Sequence, residues 1–262
     1  MAVINADLRV TANELIAEET WALRFQSPEL AAQLRPGQFL NILTSDQIDP
    51  LLRRPYSISN VIGDECEIMY SLVGKGTHAL ARKRPGDTLG VLGPLGNTFG
   101  YEKPFGTAII VAGGIGVAPF PFLTRELQQR EIPLITFLGA RNAARVVARG
   151  LANLHVATDD GSEGYHGTVI AALDAYLAMH SIAAPMIFAC GPNPMLKAAQ
   201  QFARERGIAC ELSLESEMAC GIGICQGCPV ERHQGERKYA LVCTEGPCFD
   251  SNDILLHEHH HA

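Results

Sequence analysis

The apolar residues of the first hundred positions fall in short runs separated by turn chemistry. FLNIL, YSISNV, CEIMYSLV and TLGVLG are divided by RPGQ, VIGDE, RPGD and GPLGN. Such runs predict β-strands at the spacing of a small barrel or sandwich. The pattern changes near residue 102. TAIIVAGG is a continuous apolar run ending in glycines, and FPFLTRELQQR behind it has helical periodicity. PLITFLGA, LHVATDD and PMIFACGP read as further buried strands. VIAALDAYLAMH and PMLKAAQQFARERG read as helices, the second stopped by Gly207. Strands alternating with helices predict a doubly wound parallel sheet. The remainder is rich in Cys and Gly. The expected fold class is therefore β plus α/β multidomain: a β-barrel over 1–101, an α/β unit over 102–213 and a small C-terminal unit over 214–262. There is no internal repeat.

Composition removes several function classes. Hydrophobic residues at 47% and charged residues at 19% fit a folded chain and exclude wholesale disorder. Lys plus Arg is 21 against 28 for Asp plus Glu, a net charge of −7, which argues against a nucleic-acid or anionic-membrane binder. MAVINADLRV lacks the basic and apolar regions of a secretory signal, so a cytoplasmic location is expected. Residues 105–124 carry no charge and have the length of a membrane span. Their four Gly and two Pro, bunched as GGIGVAPFP, read instead as strand, turn and helix start.

Eight cysteines in a chain of this kind point to metal or redox chemistry rather than disulfides. Cys66, Cys190 and Cys210 are scattered among apolar neighbours and read as core. The other five crowd into 29 residues. Cys220, Cys225 and Cys228 have the spacing C-x4-C-x2-C, with Cys243 after fourteen more residues, the plant-type pattern for a [2Fe–2S] cluster held by four thiolates. Gly221, Gly223 and Gly227 let backbone N–H groups turn toward sulfur. The competing readings are buried free thiols and a structural zinc site, although a zinc ribbon pairs two short knuckles and only one is present. Cys248 is an alternative to Cys243 as the distal ligand. HEHHHA, residues 257–262, is not read as a metal site.

Two strand ends carry nucleotide chemistry. Gly113, Gly114 and Gly116, followed by Pro119, join a buried strand to a helix, where backbone approaches a phosphate and the helix N-terminus favours an anion. The pattern is neither GxGxxG nor the Walker loop, since Gly74-Lys75-Gly76-Thr77 lacks the latter's spacing. Cys190-Gly191-Pro192 ends another buried strand. In an open parallel sheet both loops face one crevice. Asp159 and Asp160 end a third strand and read equally as a ribose partner or as a capped turn. In the barrel segment, Arg53-Arg54-Pro55-Tyr56-Ser57 offers a forked cation for a pyrophosphate, a ring to stack on a flat heterocycle and a hydroxyl for its edge. An ordinary strand with exposed arginines is the alternative.

RPYS, then GGIGVAP with CGP, then the cysteine spacing, in that order, resemble the ferredoxin–NADP reductase superfamily. More closely, the chain resembles the electron-transfer subunits of NAD-dependent bacterial dihydroorotate dehydrogenases. The matching stretches are LLRRPYSIS, GKGTHAL, VLGPLGN, VAGGIGVAP, TDDGSEGYHGTV, FACGPNPML and MACGIGICQGC, spread over nearly the whole chain. Tyr56 agrees with the wider superfamily and departs from the aliphatic residue of the subunit family. The resemblance implies an FAD in the barrel, with Arg54 at its pyrophosphate, Tyr56 beside the isoalloxazine and Ser57 near its edge. It implies that Tyr70, Ser71 and Leu72, with Gly76, Thr77 and His78, hold the rest of the cofactor. NAD would bind the Gly113 loop through Pro119 and the Cys190-Gly191-Pro192 turn. A partner subunit carrying FMN would oxidise dihydroorotate in pyrimidine biosynthesis, in a heterotetramer of two plus two. Electrons would run from FMN through [2Fe–2S] and FAD to NAD+, and no dihydroorotate-oxidising residue is expected on this chain. The alternatives are a related reductase subunit, of a sulfide dehydrogenase or a bifurcating ferredoxin reductase, and a zinc-bearing binding module.

Overall fold

The structure, a computed structural model, describes residues 2–45, 49–234 and 237–257. The histidine-rich end beyond residue 257 lies outside them.

Alternating strands build the first layer. β1 (Ile4–Ala17) and β2 (Thr20–Gln26) form a hairpin, followed by α1 (Pro28–Gln33), β3 (Phe39–Leu43), β4 (Arg54–Ile62), β5 (Glu65–Ser71), α2 (Lys75–Ala81) and β6 (Thr88–Leu95). The six strands close into a barrel in the order β1-β2-β5-β4-β3-β6. Closure leaves no unpaired strand edge. Leu23, Phe25, Leu40, Ile42, Ile58, Ile68 and Val91 point inward and are fully buried. Each such side chain contributes about 2 kcal/mol through burial. Phe39 and Met69, on the opposite pleat, pack outward against the second layer.

That layer follows as β7 (Thr107–Gly113), α3 (Phe120–Gln129), β8 (Leu134–Ala140), β9 (Leu154–Thr158), β10 (Tyr165–His166), α4 (Val169–Met179), β11 (Pro185–Cys190), α5 (Asn193–Arg206) and β12 (Ala209–Ser213). The strands are parallel, in the order β10-β9-β8-β7-β11-β12. The chain leaves β7 toward β8 on one side and returns to β11 on the other, which puts the crevice of a doubly wound sheet between β7 and β11. Thr168 caps α4 by accepting from the Ala171 N–H at 3.2 Å. Gly207, left-handed at φ +63, stops α5 where the sequence places its end. Residues 105–124 are β7, a turn and the start of α3, and no helix among the described residues is long and apolar enough to cross a membrane.

The cysteine-rich tail is woven into both layers. β13 (Pro229–Arg232), β14 (Tyr239–Leu241), α6 (Val242–Glu245), β15 (Cys248–Asp250) and β16 (Ile254–Leu255) follow β12. β14-β13-β16 form a small sheet, whereas β15 pairs antiparallel with β12 as a seventh strand of the large one. Cys228, Cys243 and Ile254 share a core with Ile109, Ile187 and Leu212 of the sheet and Phe39 and Leu95 of the barrel. One local expectation is corrected here. KYALVC reads as a continuous strand, but extension ends at Leu241 and Cys243 sits on the helical turn α6. Glu245 Oε1 accepts from the Leu241 N–H at 3.2 Å and closes that turn.

Charge pairs lock barrel and sheet. Arg149, in the β8–β9 connection, reaches Glu67 of β5 at 3.0 Å and Glu14 of β1 at 2.6 Å. Arg145 reaches Glu19 at 2.5 Å and Glu18 at 3.2 Å, and the Glu18 N–H donates to the Ala144 carbonyl at 2.9 Å. Burial pushes the Glu67 carboxyl up, opposed first by Arg149 and then by Arg24. Arg149→Ala leaves Glu67 buried with Arg24, at 3.7 Å, as its one remaining cation among the described residues. Urea denaturation of this variant is expected to show a loss of about 2 kcal/mol; an unchanged midpoint and slope would remove the clamp from the account.

Candidate cofactor sites

Three candidate sites arise on this framework, one on the barrel, one at the edge of the parallel strands and one in the tail. The first is a cavity of about 450 Å³ at the start of β4 and of α2, lined by Asp49, Arg54, Pro55, Tyr56 and the segment 73–77. The two neighbouring arginines divide. Arg53 turns to the barrel, donating to the carbonyls of Gly90 at 2.8 Å and Asn41 at 3.3 Å and to Asn5 Oδ1 at 3.0 Å. Arg54 lines the cavity and donates to the Leu52 carbonyl at 2.5 Å. Tyr56 meets Tyr70 edge-on at 6.2 Å, and burial raises both phenols. Tyr70 is nevertheless spoken for, because its hydroxyl donates to Asn13 Oδ1 at 2.9 Å inside the barrel wall. Ser57 stands on β4 opposite Phe39, and Ser71 stands opposite Thr20. The Leu72 N–H donates to the Glu19 carbonyl at 2.9 Å.

The far wall of this cavity is a turn built on a hydroxyl. Thr77 Oγ1 accepts from the N–H groups of Val73 at 3.0 Å and Gly74 at 3.2 Å and donates to the Gly74 carbonyl at 3.0 Å. Gly76 is buried against Thr44, and His78 Nδ1 lies 2.9 Å from the Gly74 carbonyl. A guanidinium, an aromatic ring and a hydroxyl-braced turn around one cavity form a donor set suited to a diphosphate joined to a planar ring.

The second site is the crevice between β7 and β11. Their register sets Cys190 beside Ala112, so the Gly113 loop and the Cys190-Gly191-Pro192 turn emerge together. A Cβ on Gly116 would lie 2.4 Å from the Cys190 carbonyl oxygen, so only glycine permits the contact. Gly113 is packed equally closely against Met195, Gly114 has φ +54, and Pro119 precedes α3 directly. Asp160 Oδ1 accepts from Ser162 Oγ at 2.6 Å and from its N–H at 2.9 Å, which is the capped turn. Asp159 is exposed beside it.

The third site is the loop from residue 220 to residue 228 with α6. Cys220 Sγ accepts from the N–H groups of Cys225 at 3.4 Å and Ile222 at 3.5 Å. The Cys225 amide leads the effects that bring the Cys220 thiol down to about 6. Cys243, on buried α6, is pushed up to about 12 by burial. Among the described residues no three metal-ligating side chains surround one point. Cys220 neighbours Cys225 and Cys243 neighbours Cys228, with Cys220 close enough to Cys243 to raise its thiol further. Two thiolates for each of two irons suit that arrangement, whereas structural zinc draws all four to one ion. Cys248 is turned away, its Sγ 4.0 Å from the Gly37 carbonyl and its surroundings buried. Cys66, Cys190 and Cys210 are buried core residues.

Sequence reasoning passed over Asn41 and Asn97, which bond across to the tail, and Arg149, which bonds to the barrel. Nothing in local spacing marks them. The long-range contact is their only signal.

Residues 7–101 match the family model described as an oxidoreductase FAD-binding domain, and residues 215–255 match the iron–sulfur cluster binding domain of dihydroorotate dehydrogenase B. The chain is 38% identical over 257 residues to a Bacillus caldolyticus dihydroorotate dehydrogenase B (NAD(+)) electron transfer subunit, covering 95% of this chain and 98% of the relative. The subunit of the same description from Desulforamulus reducens is 36% identical, covering 95% and 97%. Among solved structures, an NADH-dependent reduced ferredoxin–NADP oxidoreductase superposes with a TM-score of 0.84 at 28% identity, covering 96% of this chain and 90% of that one. Phthalate dioxygenase reductase, at 17% identity and TM-score 0.62 over 86% and 72%, shares the fold.

The amide contacts make a measurable claim. In iron-free protein the Cys220 thiolate forms above a pH of about 6 and is lost below it. Iodoacetamide pulses read by mass spectrometry are therefore expected to label Cys220 with a midpoint there, while Cys243 stays unlabelled through neutral pH. A Cys220 midpoint at an ordinary cysteine value would mean the amides do not hold the anion.

Proposed function

Because the chain belongs to the electron transfer subunits of dihydroorotate dehydrogenase B (NAD(+)), we propose that it passes electrons between a dihydroorotate-oxidising partner and NAD+ through its own two cofactor sites. The observation that carries the reading is the presence on one chain of the Arg54–Tyr56 cavity, the Gly116–Cys190 crevice and the paired thiols. FAD, when bound, exchanges electrons in twos with a nicotinamide and singly with an iron–sulfur centre, so it belongs between them.

The residues divide that labour over segments 1–101, 102–213 and 214–262. Arg54 meets the pyrophosphate while Arg53 braces the strand that presents it. Tyr56, propped by Tyr70, and Ser57 frame the flavin ring, and Ser71, Leu72, Gly76, Thr77 and His78 shape the remaining wall. Gly113, Gly114, Gly116 and Pro119 cradle the NAD phosphates, and Cys190, Gly191 and Pro192 close the nicotinamide end. Asp159 takes a ribose hydroxyl, since Asp160 is used by its turn. Cys220, Cys225, Cys228 and Cys243 ligate the [2Fe–2S] cluster. Cys225 is exposed next to Ile224; Ile224 and Ile222 are themselves 77% and 43% exposed, and this apolar rim faces the FMN-bearing partner in a two-plus-two assembly.

Two substitutions test the wiring. Cys225→Ser is expected to remove the cluster and abolish dihydroorotate–NAD turnover by the complex, while NADH oxidation with an artificial acceptor survives. Continued turnover by an iron-free variant would refute the path. Arg54→Ala is expected to weaken FAD retention roughly tenfold or more, from the loss of a charged hydrogen bond. Equilibrium dialysis giving the parent affinity would remove Arg54 from the site.

A further inference from the structure

The barrel holds the tail by two asparagines, and both grip it beside a thiol. Asn41 is fully buried on β3, opposite Pro55 of β4, and its main-chain carbonyl receives Arg53 at 3.3 Å. Its Nδ2 donates to the Cys220 carbonyl at 3.3 Å. A Cβ on Gly221 would stand 2.8 Å from that nitrogen, and Gly221 has φ +71, so the loop approaches Asn41 as closely as backbone can. Asn41 Oδ1 is buried with no partner among the described residues. A half-satisfied amide in a barrel wall is costly compared with an apolar side chain of the same size, so folding alone does not explain it.

Asn97 follows β6 and is used more fully. Its Nδ2 donates to the carbonyls of Glu245 at 2.9 Å and Cys248 at 2.7 Å. Its Oδ1 accepts from the Cys248 N–H at 2.9 Å, and its own N–H donates to the Gly246 carbonyl at 2.6 Å. The bracketed segment begins two residues after Cys243. The segments carrying the first and last of the four thiols are thus tied to the barrel by side-chain amides, one from β3, which pairs with the β4 strand that carries Arg54 and Tyr56, and one from just beyond β6.

We propose that Asn41 and Asn97 are positioning residues that fix the 220–228 loop and α6, which carry the four thiols, at a set separation from the flavin barrel, and so govern the passage of single electrons between the two sites. The proposal rests on the reading of Cys220, Cys225, Cys228 and Cys243 as the cluster ligands. Neither asparagine touches the reacting groups; both act through the backbone next to a ligand.

The test uses the holoprotein with FAD and iron quantified. Asn97→Ala and Asn41→Ala are mixed anaerobically with NADH in a single turnover, and flavin and cluster bleaching are followed separately. In variant molecules that carry both groups, the ratio of the cluster rate to the flavin rate is expected to fall severalfold. Loss of fold or of iron alone would not change this ratio in the molecules that remain loaded. Amide exchange at Cys248 is expected to quicken roughly tenfold in Asn97→Ala, the equivalent of about one hydrogen bond. Should Asn97→Ala fail to bind FAD, the Asn41→Ala ratio decides. Parent-like ratios in loaded variants overturn the proposal. A parent protein without iron overturns the ligand reading beneath it, and the clasp with it.

Discussion

Anionic sulfur inside a protein has to be met by N–H donors, and at Cys220 the amides of Cys225 and Ile222 supply them. Much of the tail's shape follows from that requirement. A loop that turns its amides inward cannot also pair them in a sheet, and residues 219–228 accordingly lack regular structure. The glycines allow the bend, and the surrounding chain compensates for the missing ladder. β13 follows the loop and pairs with β16, α6 carries Cys243, and β15 pins the chain beyond it to the large sheet.

The same division between a permissive loop and a rigid support recurs at the crevice between β7 and β11. Ala112 and Cys190 are fixed by parallel pairing deep in the sheet. Only beyond Gly113, the last residue of β7, does the chain leave the ladder, and at Gly116 backbone lies on the backbone of Cys190. In the barrel, β4 carries Arg54 and Tyr56 on a hydrogen-bonded stave, and the less regular 73–77 turn closes the opposite wall. Each site therefore joins one element whose position is set by a ladder to one whose shape is set by a few side chains. The Arg149–Glu67 and Arg145–Glu19 pairs then hold the β8–β9 connection against the barrel.

The parts legible in the sequence are those encoded by near neighbours. Strand runs such as TAIIVAGG and the helix stopped at Gly207 each depend on residues within one element, and the structure gives them the expected places. The helical turn at Cys243 was hidden because YALVC is β-rich by composition, while the Glu245 contact that bends it lies beyond the run. The split between Arg53 and Arg54 was hidden because both look alike in a strand, and only Gly90, Asn41 and Asn5 on neighbouring staves claim the first. Asn41 with Cys220 and Asn97 with Cys248 are separated by 179 and 151 residues. No periodicity records a contact over that distance.

The antiparallel pairing of β15 with β12 has a consequence for biogenesis. During synthesis β12 emerges well before β15, so the newly made sheet presents a bare row of N–H and C=O groups on that side. Until the tail arrives, another nascent chain can dock there as a surrogate strand.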